Sequence, residues 1–133
     1  MILSIKKIWE HVQCTPAPLN ESGASFDLSV NETMVLPPGA HYIFRSNEHV
    51  ALDEHVMGIV YPRSSSNRKG LTVDMTGVVD PGYNGTLIIP VTNNSGSDIV
   101  IGQGDRIAQI VFHRVEAPAE VIRSQYDERS TAL

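Results

Sequence analysis

From Ser25 onward the chain is a succession of short apolar runs, each cut off by turn residues, and this punctuation more than anything else limits what it can fold into. The runs are Phe26 to Val30, Thr33 to Leu36, His41 to Phe44, His49 to Leu52, Val56 to Tyr61, Leu71 to Val73, Thr86 to Thr92, Asp98 to Ile101 and Ile107 to Val115. Pro37-Pro38-Gly39, Ser46-Asn47 and Asn93-Asn94-Ser95-Gly96 separate them, and such residues favour tight turns over helix. No helix-length segment lies between consecutive runs, so a parallel sheet with crossover helices is excluded, and the pattern predicts an all-β barrel or sandwich. The one helix the periodicity predicts covers residues 3 to 13, where Ile5, Ile8, Trp9 and Val12 fall near helical spacing before Pro16 and Pro18 stop it.

With 133 residues, 41% of them hydrophobic, the chain has material for one core, and we expect a single domain over residues 1–133. Residues 116–133 are polar and irregular, and read as a surface tail or an arm reaching to a neighbour. A formal charge of −5 argues against a nucleic-acid polymer as partner. Arg63, Arg68 and Lys69 nevertheless share one short segment and could form a local positive pocket for a small anion. The lone Cys14 allows no intrachain disulfide and fits a reducing compartment, as a partly buried thiol. The apolar N-terminus is broken by Lys6, Lys7 and Glu10 too early for a signal peptide or a spanning helix, so we expect no membrane association and a cytoplasmic protein.

Four segments carry candidate chemistry. Gly77-Val78-Val79-Asp80-Pro81-Gly82-Tyr83-Asn84-Gly85 sets an acid and an aromatic on a turn whose Pro-Gly dipeptide supplies a fixed φ and then a positive one. Taken alone it is a hairpin whose Asp caps the turn and whose Tyr packs on the sheet. Tyr61 to Leu71 combines hydroxyls, amides and guanidinium groups suited to phosphate oxygens. In the run after Gly104, strict alternation would set Ile107, Gln109 and Val111 on one face, so Gln109 needs a specific bond there, while Asp105 and Arg106 read as a turn and a structural ion pair. Asp27, flanked by apolar residues, needs a cationic partner if buried. His11, His41, His49, His55 and His113 show no metal-ligand spacing and read as surface or interface residues.

In this order the segments resemble the trimeric dUTPase family, within the superfamily that also holds the dCTP deaminases. Ser22-Gly23-Ala24-Ser25-Phe26-Asp27-Leu28 is similar to the first family motif and Pro62-Arg63-Ser64-Ser65 to the second. Gly77 through Gly85 is similar to the third and Gly104-Asp105-Arg106-Ile107-Ala108-Gln109 to the fourth. The resemblance implies a distorted, jelly-roll-like β-barrel, a homotrimer with sites between subunits, and Mg²⁺-assisted hydrolysis of dUTP to dUMP and pyrophosphate. It implies that Asp80 activates the attacking water, Tyr83 stacks beneath the deoxyribose and excludes a 2′-hydroxyl, and backbone around Gly77 and Val78 reads the uracil edge. Arg63, Ser64 and Ser65 would bind phosphates, Gln109 would reach the α-phosphate, and Asp27 would hold the magnesium-bound triphosphate through waters.

Two departures define the alternatives. The family ends in a Gly-rich arm that closes over the nucleotide, whereas the tail here contains no Gly and keeps only Arg129 as a remnant, which leaves room for a non-catalytic nucleotide- or protein-binding relative. The run Arg63 to Leu71 and the Asp80-Pro81-Gly82 turn also resemble the deaminases, but Pro90 stands where those enzymes keep their catalytic Glu, and proline cannot shuttle a proton.

Overall fold

The computed structural model describes residues 1–65, 69–74 and 77–119. They fold as two four-stranded sheets and a two-stranded ribbon, in a jelly-roll-like distorted barrel. One sheet has β1 (Val12–Thr15), β4 (His41–Leu52), β8 (Asn84–Asn93) and β6 (Leu71–Val73) in that spatial order. The other has β2 (Ser25–Ser29), β10 (Arg106–Arg114), β5 (Val56–Pro62) and β7 (Val78–Val79), and β3 (Met34–Leu36) pairs with β9 (Ile99–Ile101). Alternation drives the layering: Phe44, Val50 and Leu52 of β4 and Leu87, Ile89 and Val91 of β8 face inward, opposite Ala108, Ile110 and Phe112 of β10.

The N-terminal helix is one turn, α1 (Ile5–Ile8), and not the segment from 3 to 13 that the periodicity predicts. Val12 belongs to β1, which pairs with β4 from Val12 opposite Leu52 to Thr15 opposite His49. A short helix carries an unfavourable nucleation cost, and the ladder to β4 offers residues 12 to 15 a full set of backbone partners instead. Trp9, just past α1, stacks on Phe26 with centroids 5.3 Å apart.

The runs His41 to Phe44 and His49 to Leu52 are one strand, joined through a register shift between Arg45 and His49 opposite β8. The polar residues at the shift are buried but satisfied. Ser29 donates its amide (2.9 Å) and its hydroxyl (2.7 Å) to the Glu48 carboxylate, and the Leu87 amide donates to Ser46 Oγ at 2.9 Å. Pro90 sits within β8 without breaking it: its carbonyl accepts from Asp74 N at 2.8 Å, on the side where β6 has already ended at Val73. Among the described residues no helix is long and apolar enough to cross a membrane.

Candidate functional site

Asp27 lies in β2 with only 6% of its surface exposed, directly across from Gln109 of β10, which in turn faces Tyr61 of β5. Three adjacent strands therefore deliver the first, second and fourth segments to one place. Arg63 follows β5, and its amide continues the ladder by donating to Ile107 O at 3.2 Å. Its Nε stands 3.4 Å from Asp27 Oδ2, Arg106 Nη1 stands 3.4 Å from the same oxygen, and Asn20 Nδ2 donates to it at 3.2 Å. These separations exceed the about 2.8 Å of a tight charge-assisted hydrogen bond, so the cluster is held by charge more than by directed bonding. A carboxylate this buried would be costly alone, and two guanidinium groups offset that cost.

The same guanidinium groups border a cavity of about 290 Å³ that Ser65, Lys69, Gly104 and Asp105 also line. Ser64 is exposed beside it. Arg63 and Lys69 of the expected positive pocket thus meet here with Arg106, while Arg68 lies outside the described residues. With three cationic side chains and the Ser65 hydroxyl beside the aliphatic Leu71, Ile99, Val100, Ile101 and Ile107, such a cavity suits phosphate oxygens.

Two expectations are corrected at β10. The register shifts between Arg106 and Ala108, so Ile107 falls at a bulge and the buried face is Ala108, Ile110 and Phe112; Gln109 lies on the opposite face with Val111. Its amide still has specific bonds, accepting from Ser25 Oγ at 3.3 Å and donating to Pro62 O at 3.3 Å. Asp105 does form a turn, its carboxylate accepting from Gly102 N at 2.8 Å, but the charge partner of Arg106 is Asp27. Arg106 and Asn20 are the cluster members that sequence reasoning missed. The antiparallel pairing of β2 and β10 brings Arg106 to Asp27, and the tight turn before β2, in which Asp27 N donates to Asn20 O at 3.0 Å, brings Asn20.

The hairpin forms as its turn chemistry dictates. Tyr83 N donates to Asp80 O at 3.1 Å, and Gly82 takes φ +81°, the left-handed third position of a type II turn whose second residue is Pro81. Val78 and Val79 pair with Ile59 and Gly58. The Asp80 side chain is exposed, and Tyr83 packs half-buried against the core with its hydroxyl donating to Thr86 O at 2.6 Å.

Within one chain the two groups do not meet. β7 runs antiparallel to β5, so Asp80 continues past Gly58 toward Met57, whereas Asp27, Arg63 and Gln109 gather at the Tyr61 end. The six residue steps from Met57 to Arg63 span roughly 20 Å.

Two histidines depart from the surface reading, His113, whose Nε2 is buried, and His11. His11 is no surface residue: its side chain is 14% exposed and its Nδ1 lies 2.7 Å from Asp53 Oδ2. Burial, with the nearby Glu48 carboxylate, pushes the Cys14 thiol up to about 12, so it stays protonated and is no nucleophile at neutral pH. No group of three or more His, Cys, Asp or Glu side chains able to hold a metal occurs among the described residues.

The model of the dCTP deaminase-like family matches residues 15–115. The deoxyuridine 5′-triphosphate nucleotidohydrolase of Mycobacterium marinum is 38% identical over 120 residues, covering 88% of this chain and 78% of its own. This chain belongs to the dUTPase family. The corresponding proteins of Mycobacterium avium and Mycobacterium tuberculosis are 36% and 35% identical over the same span. Among solved structures, the dUTPase of Staphylococcus bacteriophage 80alpha superposes with a TM-score of 0.69 at 22% identity, covering 87% of this chain and 97% of its own. The EIAV dUTPase does so with 0.67 at 23%, covering 86% and 96%. At those identities the superpositions speak for the dUTPase fold alone.

Proposed function

We propose that this protein hydrolyses dUTP to dUMP and pyrophosphate. The observation that carries the proposal is the Asp27–Arg63–Arg106 cluster beside a cationic cavity, in a chain whose relatives are named for dUTP hydrolysis. Arg63, Ser64 and Ser65 bind the phosphates, Gln109 turns toward the α-phosphate, Asp80 orients the attacking water and accepts its proton, and Tyr83 stacks under the deoxyribose. Gly77 and Val78 offer their main chain to the uracil edge. Attack on phosphorus needs charge neutralisation and an in-line water rather than a covalent intermediate, and these groups supply the orientation.

Mg²⁺ fits the donor set. The three contacts to Asp27 converge on Oδ2, and a lone carboxylate suits an ion that keeps most of its waters and takes its other ligands from phosphate. Bound there, the ion would neutralise charge on the triphosphate.

Asp80 and Tyr83 stand some six strand residues from the Asp27 cluster in one copy, so a second copy must supply the hairpin. A closed ring of three, each site using the hairpin of one subunit and the cluster of another, meets that need. The expected arm on a single domain begins at residue 116, where Ala119 N donates to Glu54 O at 3.0 Å; residues 120–133, Arg129 among them, lie outside the described residues. The lone, protonated Cys14 suits the cytoplasm.

The family match keeps deamination of dCTP as a second reading, and Pro90 opposes it. Incubation with dUTP or dCTP and Mg²⁺, followed by chromatography, separates the outcomes. dUMP from dUTP is the expected product. dUTP or dUMP formed from dCTP would favour the deaminase, and binding without turnover the non-catalytic relative.

A further inference from the structure

Asp53, the residue after β4, has its polar groups committed in two directions. Toward the N-terminal segment, its Oδ2 accepts from His11 Nδ1 at 2.7 Å and its amide donates to His11 O at 3.0 Å. Toward the next turn, its Oδ1 accepts from His55 N at 2.9 Å. Its carbonyl accepts from Gly82 N at 3.0 Å, and the neighbouring Leu52 N donates to Tyr83 O at 2.9 Å. His11 in turn is fixed to the end of α1, its amide donating to Ile8 O at 2.9 Å. A chain of short bonds thus runs from the one-turn helix through His11 and Asp53 to the Pro81-Gly82 turn.

On one side the turn is anchored by a short strand, and on the other Tyr83 leads into β8 and donates its hydroxyl to Thr86 O at 2.6 Å. β7 is two residues long, and Asp80 lies beyond it with an exposed side chain. The bond from the Gly82 amide to the Asp53 carbonyl is therefore one of the contacts that set the direction in which Asp80 points. The His11 and Asp53 side chains are 14% and 32% exposed, mostly removed from water, which strengthens a bond between an imidazole N–H and a carboxylate. The imidazole donates from Nδ1 whether it is neutral in that tautomer or charged.

We propose that His11 and Asp53 are a positioning pair for the Asp80–Tyr83 hairpin. The pair touches no substrate; it holds the acceptor of the Gly82 amide in place, and through it the acid and the aromatic. The proposal rests on the hydrolase reading for its catalytic half only. A misplacement of about 1 Å in a reacting group costs on the order of 100-fold in rate, so a partial loosening costs less.

The test compares full-length wild type, His11→Ala and His11→Asn, whose side-chain N–H reaches about where Nδ1 stands. Amide hydrogen exchange is expected to quicken at Gly82 and Leu52 by roughly tenfold or more in His11→Ala, with Ile110 of β10 unchanged, and to return toward wild type in His11→Asn. In parallel, dUTP kcat should fall about tenfold in His11→Ala together with the ratio of kcat/KM for dUTP over UTP, and both should recover in His11→Asn. That ratio is independent of the fraction of protein folded, so a purely structural role leaves it unmoved. Equal Gly82 exchange in all three proteins would overturn the brace, whatever the turnover. Faster exchange with unchanged kcat and selectivity would overturn the positioning role. A wild type that turns over no dUTP would overturn the hydrolase reading and the catalytic half with it, while exchange still judges the brace. Should His11→Ala fail to fold, Asp53→Asn, which keeps the shape and removes the charge, carries both measurements.

Discussion

The Asp27 cluster and the Asp80 hairpin are built in opposite ways. Asp27, Arg63 and Gln109 are far apart in sequence and are brought together by β2, β10 and β5 lying side by side; each is set by a long-range ladder. Asp80 and Tyr83 are close in sequence and are set by a turn. The contrast teaches where each half can be disturbed. The cluster is part of the sheet and tolerates little change of register, because a one-residue slip would turn Asp27 and Gln109 to the wrong face. The hairpin depends on Gly82 and on what its amide meets.

The two halves should fail differently when changed. The largest effect belongs to the hairpin: Asp80→Asn is expected to lower kcat by on the order of 10³-fold while nucleotide binding, read by calorimetry, stays near wild type. Wild-type-like turnover would remove Asp80 from the chemistry. A smaller loss, mainly in KM, is expected when one cation of the cluster is removed. Arg63→Met removes one of the two cations beside Asp27 and should weaken dUTP binding by about 100-fold, leaving Arg106 to keep the carboxylate paired. An unchanged KM would show that the cavity holds no phosphate. The smallest effect is on selectivity: Tyr83→Ala should improve UTP against dUTP by roughly tenfold, measured as the ratio of kcat/KM values. Unaltered selectivity would take the sugar-sensing role from Tyr83.

The same contrast explains what could be read without coordinates. Pro81-Gly82 announces a type II turn through local sterics, and the turn forms with Gly82 at φ +81°. The need of Asp27 for a cation follows from its apolar neighbours, but the identity of the second cation does not. Arg106 stands beside Asp105 in sequence and reaches Asp27 only because β10 bulges and pairs with β2. The all-β class was legible from the punctuated runs, whereas the helix over residues 3 to 13 was overdrawn. Ile5, Ile8 and Val12 fit a helical period, yet the edge of β4 recruits Val12 into a ladder. The division of β4 into two runs has a related cause: Ser46-Asn47 looks like a turn, and long-range bonds make its surroundings acceptable inside the barrel, Ser29 donating to Glu48 and the Leu87 amide to Ser46 Oγ.

The central claim is that one working site takes its hairpin from one copy and its cluster from another. Its most direct test mixes two inactive variants, Asp27→Asn and Asp80→Asn, unfolded together at equal amounts and refolded. Each alone should be inert toward dUTP; mixed, random assembly should restore about a quarter of wild-type activity, since one pairing in four joins an intact hairpin to an intact cluster. No recovery at any mixing ratio would contradict the claim.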